Sequence, residues 1–220
     1  MMLIDQLFAA KPVPFGARGA PSSIVKAPVE KLTVFFDGTE EDEQGNKKLH
    51  GGKEKVLHQY APSNYAIFQQ HFPDNSQQFV PGSIGENISV KDMNDNNVRI
   101  GDIYTMGEAT IQVGSPRVPC NKISQRFGIN NLDRFVNQHN ICGWYYRVLN
   151  PGVIRVGDSV TLESSSSNAM TIAEFMQCVN NKHASESQLR QAAEQVALDP
   201  EWQVRLRKRA DSLSQRNVEN

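Results

Sequence analysis

The side chains best equipped for chemistry fall in a few short runs. Ser115-Pro116-Arg117-Val118-Pro119-Cys120 follows an apolar strand pattern over 109–113 and ends in a thiol held behind two prolines. Each proline fixes its own φ and biases the residue before it toward extended backbone, so the run predicts a stiff turn that aims Cys120 in one direction. A guanidinium beside it, such as that of Arg117, favours the thiolate, the form that binds a soft metal or attacks an electrophile. The alternative is a buried cysteine serving as a small apolar side chain, a common fate of free thiols. In His50-Gly51-Gly52 the paired glycines allow backbone to come close to a ligand or to take positive φ, and His58 follows in a short apolar stretch. His50, His58 and Cys120 could together hold zinc with an open position for water, which would make a hydrolase, although a His spacing of eight departs from the usual short helical pairs.

The three cysteines, Cys120, Cys142 and Cys178, are far apart and form no C-x-x-C pair. That argues against a disulfide framework and a zinc ribbon, and three thiols cannot supply the four of an iron–sulfur cluster. Cys142 and Cys178 are expected to be packing residues. No G-x-G-x-x-G run follows a strand pattern, so no internal nicotinamide or flavin site is expected. With 39% apolar and 21% charged residues and a formal charge of -1, nothing global points to a nucleic-acid polymer, a membrane or a disordered chain. Met1 to Ala10 lacks a basic start followed by a long apolar run, and no stretch has the length of a membrane span, so a cytoplasmic protein is expected.

The elements that must position these residues read mainly as strands. Ser22 to Val29 reads as one, carrying Lys26, which in a strand ordinarily faces solvent; Leu32 to Phe36 is the next. Asp37 to Lys48 is a long polar loop with five carboxylates, the kind of loop that often carries function. Ser63 predicts the cap of a helix through Phe72, Gly85-Glu86-Asn87 enters a strand, and Asn94 to Asn97 is a turn. Val98-Arg99-Ile100-Gly101-Asp102 is echoed by Ile154-Arg155-Val156-Gly157-Asp158, as if two equivalent corners recur in one barrel or sandwich. A hairpin joins 103–105 to 109–113 and delivers the chain to Cys120. Asn131 to His139 predicts a short helix, Trp144 to Leu149 a strand and Val153 to Leu162 the last strand. After a polar hinge at Ser164 to Ser167 the apolar period changes to about 3.6. Thr171 with Glu174 has capping-box spacing. Ser187 to Leu198 predicts a second helix with Leu189, Ala192, Ala193 and Val196 on one face, and Asp199-Pro200 opens a third that carries the basic run Arg205 to Arg209.

Taken in order, Lys26, His50-Gly51-Gly52, His58, Gly85-Glu86-Asn87 and Ser115 to Cys120 resemble the MOSC family, named for the C-terminal domain of molybdenum cofactor sulfurases, and most closely its bacterial YiiM subgroup. The resemblance implies a mainly β, barrel-like domain over 15–165 and a three-helix appendage over 166–220, α+β overall. It implies that Cys120 is the protein ligand to molybdenum in a pterin cofactor. Lys26, His50, His58 and Arg117 would hold phosphate or oxo oxygens, Gly51 and Gly52 would offer N–H groups to an anion, and Asn87 would orient cofactor or substrate. Arg117, His50 or Lys26 would assist the departing oxygen. At family level only, it also carries an association with pyridoxal phosphate.

The function so implied is a molybdenum-dependent oxidoreductase of small N-hydroxylated compounds, such as 6-hydroxylaminopurine-type base analogues. Electrons would come from a separate flavoprotein reductase, for which Arg205 to Arg209 are a candidate dock, with a plainly solvated face, dimerisation or domain packing as the alternatives for that run, and a homodimer is expected. A molybdopterin-binding or sulfur-carrier module without turnover is the alternative, with the zinc hydrolase behind it.

Overall fold

A curled nine-stranded sheet carries most of the core of this computed structural model, which describes residues 1–47 and 51–218, with side chains through Gln215. The first strands are β1 (Met2–Leu3), β2 (Gln6–Ala9), β3 (Val13–Phe15), β4 (Ala20–Ser22), β5 (Ala27–Val29) and β6 (Lys31–Val34). There follow β7 (Leu57–Gln59), β8 (Ile88–Ser89), β9 (Ile103–Met106), β10 (Ala109–Pro116), β11 (Trp144–Asn150), β12 (Gly152–Arg155) and β13 (Ser159–Ser164). Across the large sheet the order is β1-β13-β9-β10-β11-β7-β8-β2-β5, while β6 pairs with β12 and β3 with β4. Only β7 and β8 run parallel among the described pairs. Because β1 pairs with β13 and β2 with both β5 and β8, the sheet also takes in residues upstream of position 15. Alternating residues of β10, Ile111 and Val113, stand opposite Val148 and Tyr146 of β11 in a buried layer, as the period of two requires.

The echoed R-x-G-D runs build the same corner twice. In each, the aspartate N–H donates to the arginine carbonyl at 3.1 Å, and the aspartate carboxylate accepts the arginine N–H, at 2.8 Å for Asp102 and 2.7 Å for Asp158. Gly101 (φ 90) and Gly157 (φ 85) occupy the turn position that needs positive φ. The corners launch β9 and β13, which pair with each other. The strand expected over 153–162 is therefore broken at Val156–Asp158. The expected strand 22–29 is likewise interrupted, and Lys26 sits in the bend between β4 and β5.

Helix α1 (Asn64–His71) and the 3-10 turn Pro73–Gln78 lie between β7 and β8; Ser63 stands at the cap position without a side-chain bond. Helices α2 (Lys122–Phe127) and α3 (Leu132–Gln138) fill the segment between β10 and β11, and α2 has no counterpart among the sequence-based expectations. Phe79 is stacked between Phe68 and Phe127, with centroids 4.8 and 4.5 Å away, and so ties α1 to α2. Beyond β13 come α4 (Ile172–Asn180), α5 (Glu186–Ala193) and α6 (Pro200–Val218). Thr171 and Glu174 form the expected capping box, and Ser185 with Gln188 forms a second. Helix α5 ends before Val196, which is 81% exposed and not on its buried face, because the chain turns out at Glu194 and Ala197 takes φ 65. Asp199 caps α6 by accepting the Glu201 N–H at 2.8 Å, with Pro200 as first residue. The fold is α+β, and no helix among the described residues is long and apolar enough to cross a membrane.

Candidate functional site

Strand β10 carries a bulge between Val113 and Ser115, where the register against β11 shifts. A bulge bends its strand and re-aims the segment beyond it, here the turn from Pro116 to Cys120. The Arg117 N–H donates to Gly143 O at 3.0 Å, fixing the turn against the start of β11. Gly143 has φ 68, and a Cβ there would stand 2.4 Å from Gln59 O, so only glycine lets β11 close this tightly on β7. Asp95 secures the same point by accepting the Gly143 N–H at 3.0 Å.

The turn delivers Arg117 and Cys120 to one wall of an open cavity. Lys26, His58 and Asn87 line the same cavity, so five of the residues singled out by sequence converge on one space. Arg117 is only 6% exposed, yet its Nε and Nη1 have no hydrogen-bond partner. Its remaining contact is with Tyr145, which also lines the cavity. Burial works against the guanidinium charge, but Tyr145 and Cys120 beside it outweigh that and hold its pKa above the ordinary arginine value. Cys120 is partly exposed at the cavity, whereas burial drives the Cys142 thiol far above the usual range and also raises Cys178. A thiol that stays protonated is no ligand, in keeping with packing roles for both.

Lys26 does not face solvent. Its side chain is 5% exposed and its ammonium is ion-paired with Asp42, from the acidic loop. Burial lowers its pKa, and Asp42 opposes that shift. Asp42 in turn accepts the Ala10 N–H at 2.8 Å. Asn87 lines the cavity, but its amide is engaged on both sides: Oδ1 accepts the His58 N–H at 3.1 Å and Nδ2 donates to Phe8 O at 3.2 Å. It positions β7, and with it His58, rather than offering a free amide. Glu86 lies behind the wall, its carboxylate accepting the N–H groups of Gly82 (2.6 Å) and Ile84 (3.2 Å), and burial raises its pKa. Gly51 and Gly52 are not among the cavity-lining residues, and the Gly51 N–H is taken by Lys47 O at 3.1 Å. His50 lies outside the described residues. Among those residues, no group of three or more His, Cys, Asp or Glu could hold a metal ion.

Sequence reasoning missed Lys55, Lys122 and Tyr145. Lys55 lines the cavity and is anchored from the appendage: its Nζ lies 2.7 Å from Glu201 and 3.8 Å from Asp199. Next to it, Glu54 pairs with Arg147, which also donates to Ala197 O at 2.6 Å. The appended helices thus brace the wall segment Glu54-Lys55. Lys122 stands at the first position of α2. Among the described residues, the cavity's cations, Lys26, Lys55, Arg117 and Lys122, outnumber its one lining carboxylate, Asp42. A cavity walled by these cations, one of them a guanidinium with unpartnered donors, suits an anionic, oxygen-rich group, and a partly exposed thiol on the same turn adds one soft donor. These residues fit a phosphate-bearing pterin cofactor whose metal accepts a protein thiolate.

Comparison with known proteins agrees with that chemistry. The family model described as the MOSC domain matches residues 46–161. The protein YiiM of Escherichia coli strain K12 is 32% identical over 192 residues, covering 87% of this chain and 85% of that one. The crystal structure of YiiM from Escherichia coli superposes with a TM-score of 0.81 at 25% identity, covering 96% of this chain and 94% of that one. A protein of Gibberella moniliformis named "Reductase" is 37% identical over 114 residues, which is 51% of this chain but 20% of the fungal protein. The chain belongs to the MOSC domain family.

Proposed function

We propose that this protein is a molybdenum-cofactor-dependent oxidoreductase that reduces small N-hydroxylated compounds, such as 6-hydroxylaminopurine-type base analogues, with electrons from a separate flavoprotein reductase. Family membership supports a molybdenum-cofactor-related function, and the fungal relative's name supports reduction. In that relative the matching stretch is a fifth of a much longer polypeptide, an arrangement in keeping with a unit that works beside another module. The observation that carries the reading is Arg117, whose Nε and Nη1 are buried without partners in the cavity that Cys120 also lines.

When bound, the molybdenum cofactor supplies the two-electron redox chemistry. The protein's own residues do the rest. Cys120 gives a thiolate ligand, and Arg117 meets anionic oxygen with two N–H groups already desolvated, so little reorganisation accompanies binding. Lys55 and Lys122 add positive charge, and Asn87 and Gly143 hold His58 and the Arg117 turn in place. In net terms an N-hydroxylamine takes up two electrons and two protons, its N–O bond breaks, and an amine and water leave.

The test is to express wild type and Cys120→Ala in cells that make molybdenum cofactor and to quantify molybdenum, zinc and released pterin. Molybdenum and pterin should copurify with wild type and fall in the variant. Zinc, or no metal, in the wild type would overturn the reading.

A further inference from the structure

The Cys120 turn has a second face. Its cavity side carries Arg117 and Cys120, while its outer side, Val118 and Pro119, walls a separate groove. The opposite walls come from α3 and α6 and include Arg134, Asn137, Trp202 and Arg205. Val118 is 43% exposed, an apolar side chain held at the tip of a turn stiffened on both sides by proline. Arg205 lies over the Trp202 ring, its guanidinium carbon 4.9 Å from the centroid. Neither Arg134 nor Arg205 has an acidic partner among the described residues. Asp133, the carboxylate lining the groove, is engaged by Ser124 Oγ at 2.6 Å.

The basic run of α6 is therefore not one uniform face. Arg209 is committed inward, donating to Val179 O at 2.6 Å and to Asn181 O, and so closes the end of α4. Within the groove the unpaired charge is that of Arg134 and Arg205, flanking an apolar knob. That combination, an apolar centre with guanidinium groups around it, is the composition of an interface hot spot and calls for carboxylates opposite. Its location also matters. Val118 is two residues from Cys120, so their Cα atoms are at most about 7.6 Å apart. A redox group brought to this groove comes within one turn of the thiol without entering the cavity, whose mouth stays open to substrate.

We propose that this groove is the docking surface for the electron-donating flavoprotein, which presents an acidic face to Arg134 and Arg205. The inference rests on the reductase reading above. The donor's reduced flavin gives up two electrons and two protons, and the N-hydroxyl compound accepts them to give amine and water. Donor and substrate then use opposite faces of a single turn.

The test compares two reductants on protein loaded with molybdenum cofactor: reduced flavodoxin, an acidic flavin protein, and dithionite-reduced methyl viologen. Arg134→Glu and Arg205→Glu should each cut the flavodoxin-driven rate at least tenfold, while the methyl viologen rate and molybdenum content stay within twofold of wild type. The wild-type flavodoxin rate should also fall steeply with added salt, as steered encounters between opposite charges do. Equal loss with both reductants, no loss with either, or no wild-type turnover with flavodoxin at low salt would overturn the docking site. So would conversion of a wild-type dimer to monomer by Arg205→Glu without flavodoxin, because the groove would then be covered by a second copy. Absence of turnover with methyl viologen would instead sink the reductase reading itself.

Discussion

At the ends of α4 and α5, polar side chains find partners locally, Thr171 with the Glu174 N–H and Ser185 with the Gln188 N–H. On the cavity wall, Arg117 Nε and Nη1 are buried with none. A buried donor without a partner costs about 1–3 kcal/mol, so the wall carries a penalty that these two caps avoid. The difference separates what the two regions are shaped for. The appendage is resolved for stability, and the wall is held ready for groups that the chain itself does not supply. Lys26 and Asp42 belong to the wall but are its internally compensated part, a buried ion pair among the cavity-lining residues.

The largest expected effect tests that pair. Asp42→Ala leaves the Lys26 ammonium buried without its counter-charge, and breaking one side of a buried pair costs about 3–5 kcal/mol. Urea unfolding at pH 7 should show a loss of that size, and Lys26→Met introduced on top should recover much of it. The pH dependence has a definite sign. Burial lowers the Lys26 pKa below 10.5 in the folded state, so between the folded value and 10.5 the unfolded chain binds more protons, and stability rises with pH across that window. The charged lysine costs most below its folded pKa, and the Asp42→Ala deficit should shrink as pH approaches 10.5. A loss of no more than about 1 kcal/mol, the range of an exposed pair, would place Lys26 in water and blur the contrast between wall and appendage.

Arg117→Met should act in the opposite direction. An apolar side chain of similar reach removes the buried Nε and Nη1 donors that go unpaired, each costing about 1–3 kcal/mol, so the cofactor-free variant should unfold at higher urea than wild type while retaining little molybdenum or pterin. Stability gained together with binding lost would mark Arg117 as kept for a ligand. If the variant were less stable and still held cofactor, Arg117 would be a structural residue.

How much the sequence discloses depends on the range of the interaction. The Thr171–Glu174 cap and the twin R-x-G-D corners are legible because each is closed within three residues. Ser185-to-Gln188 carries the same capping signature, a local signal that places the start of α5 at Glu186, one residue before the expected Ser187. Ile123 and Phe127, four apart and both buried, are the available sign of α2. Lys26 is harder, since strand alternation describes a regular strand and not a bend whose burial depends on Asp42 sixteen positions on. Lys55 cannot be placed in the cavity from its neighbours, because its anchor is Glu201, 146 positions away. Proline and glycine runs such as Ser115 to Cys120 announce themselves locally, whereas a lysine set by a distant carboxylate leaves no local mark.

The smallest effect probes whether the two regions are independent. Thr171→Ala removes a cap whose side chain accepts the Glu174 N–H at 3.1 Å while Glu174 accepts the Thr171 N–H at 2.8 Å. Such a loss costs typically about 1 kcal/mol, and it should appear as a lower urea midpoint with the m-value unchanged. If the appendage serves stability alone, molybdenum and pterin content should match wild type. The Lys55 ties to Glu201 and Asp199 offer the route by which this expectation could fail, since they connect α6 to the cavity wall. A fall in cofactor content with Thr171→Ala, reproduced by Glu201→Gln without a stability loss, would show that the helices set the position of Lys55, and the appendage would then be part of the binding apparatus.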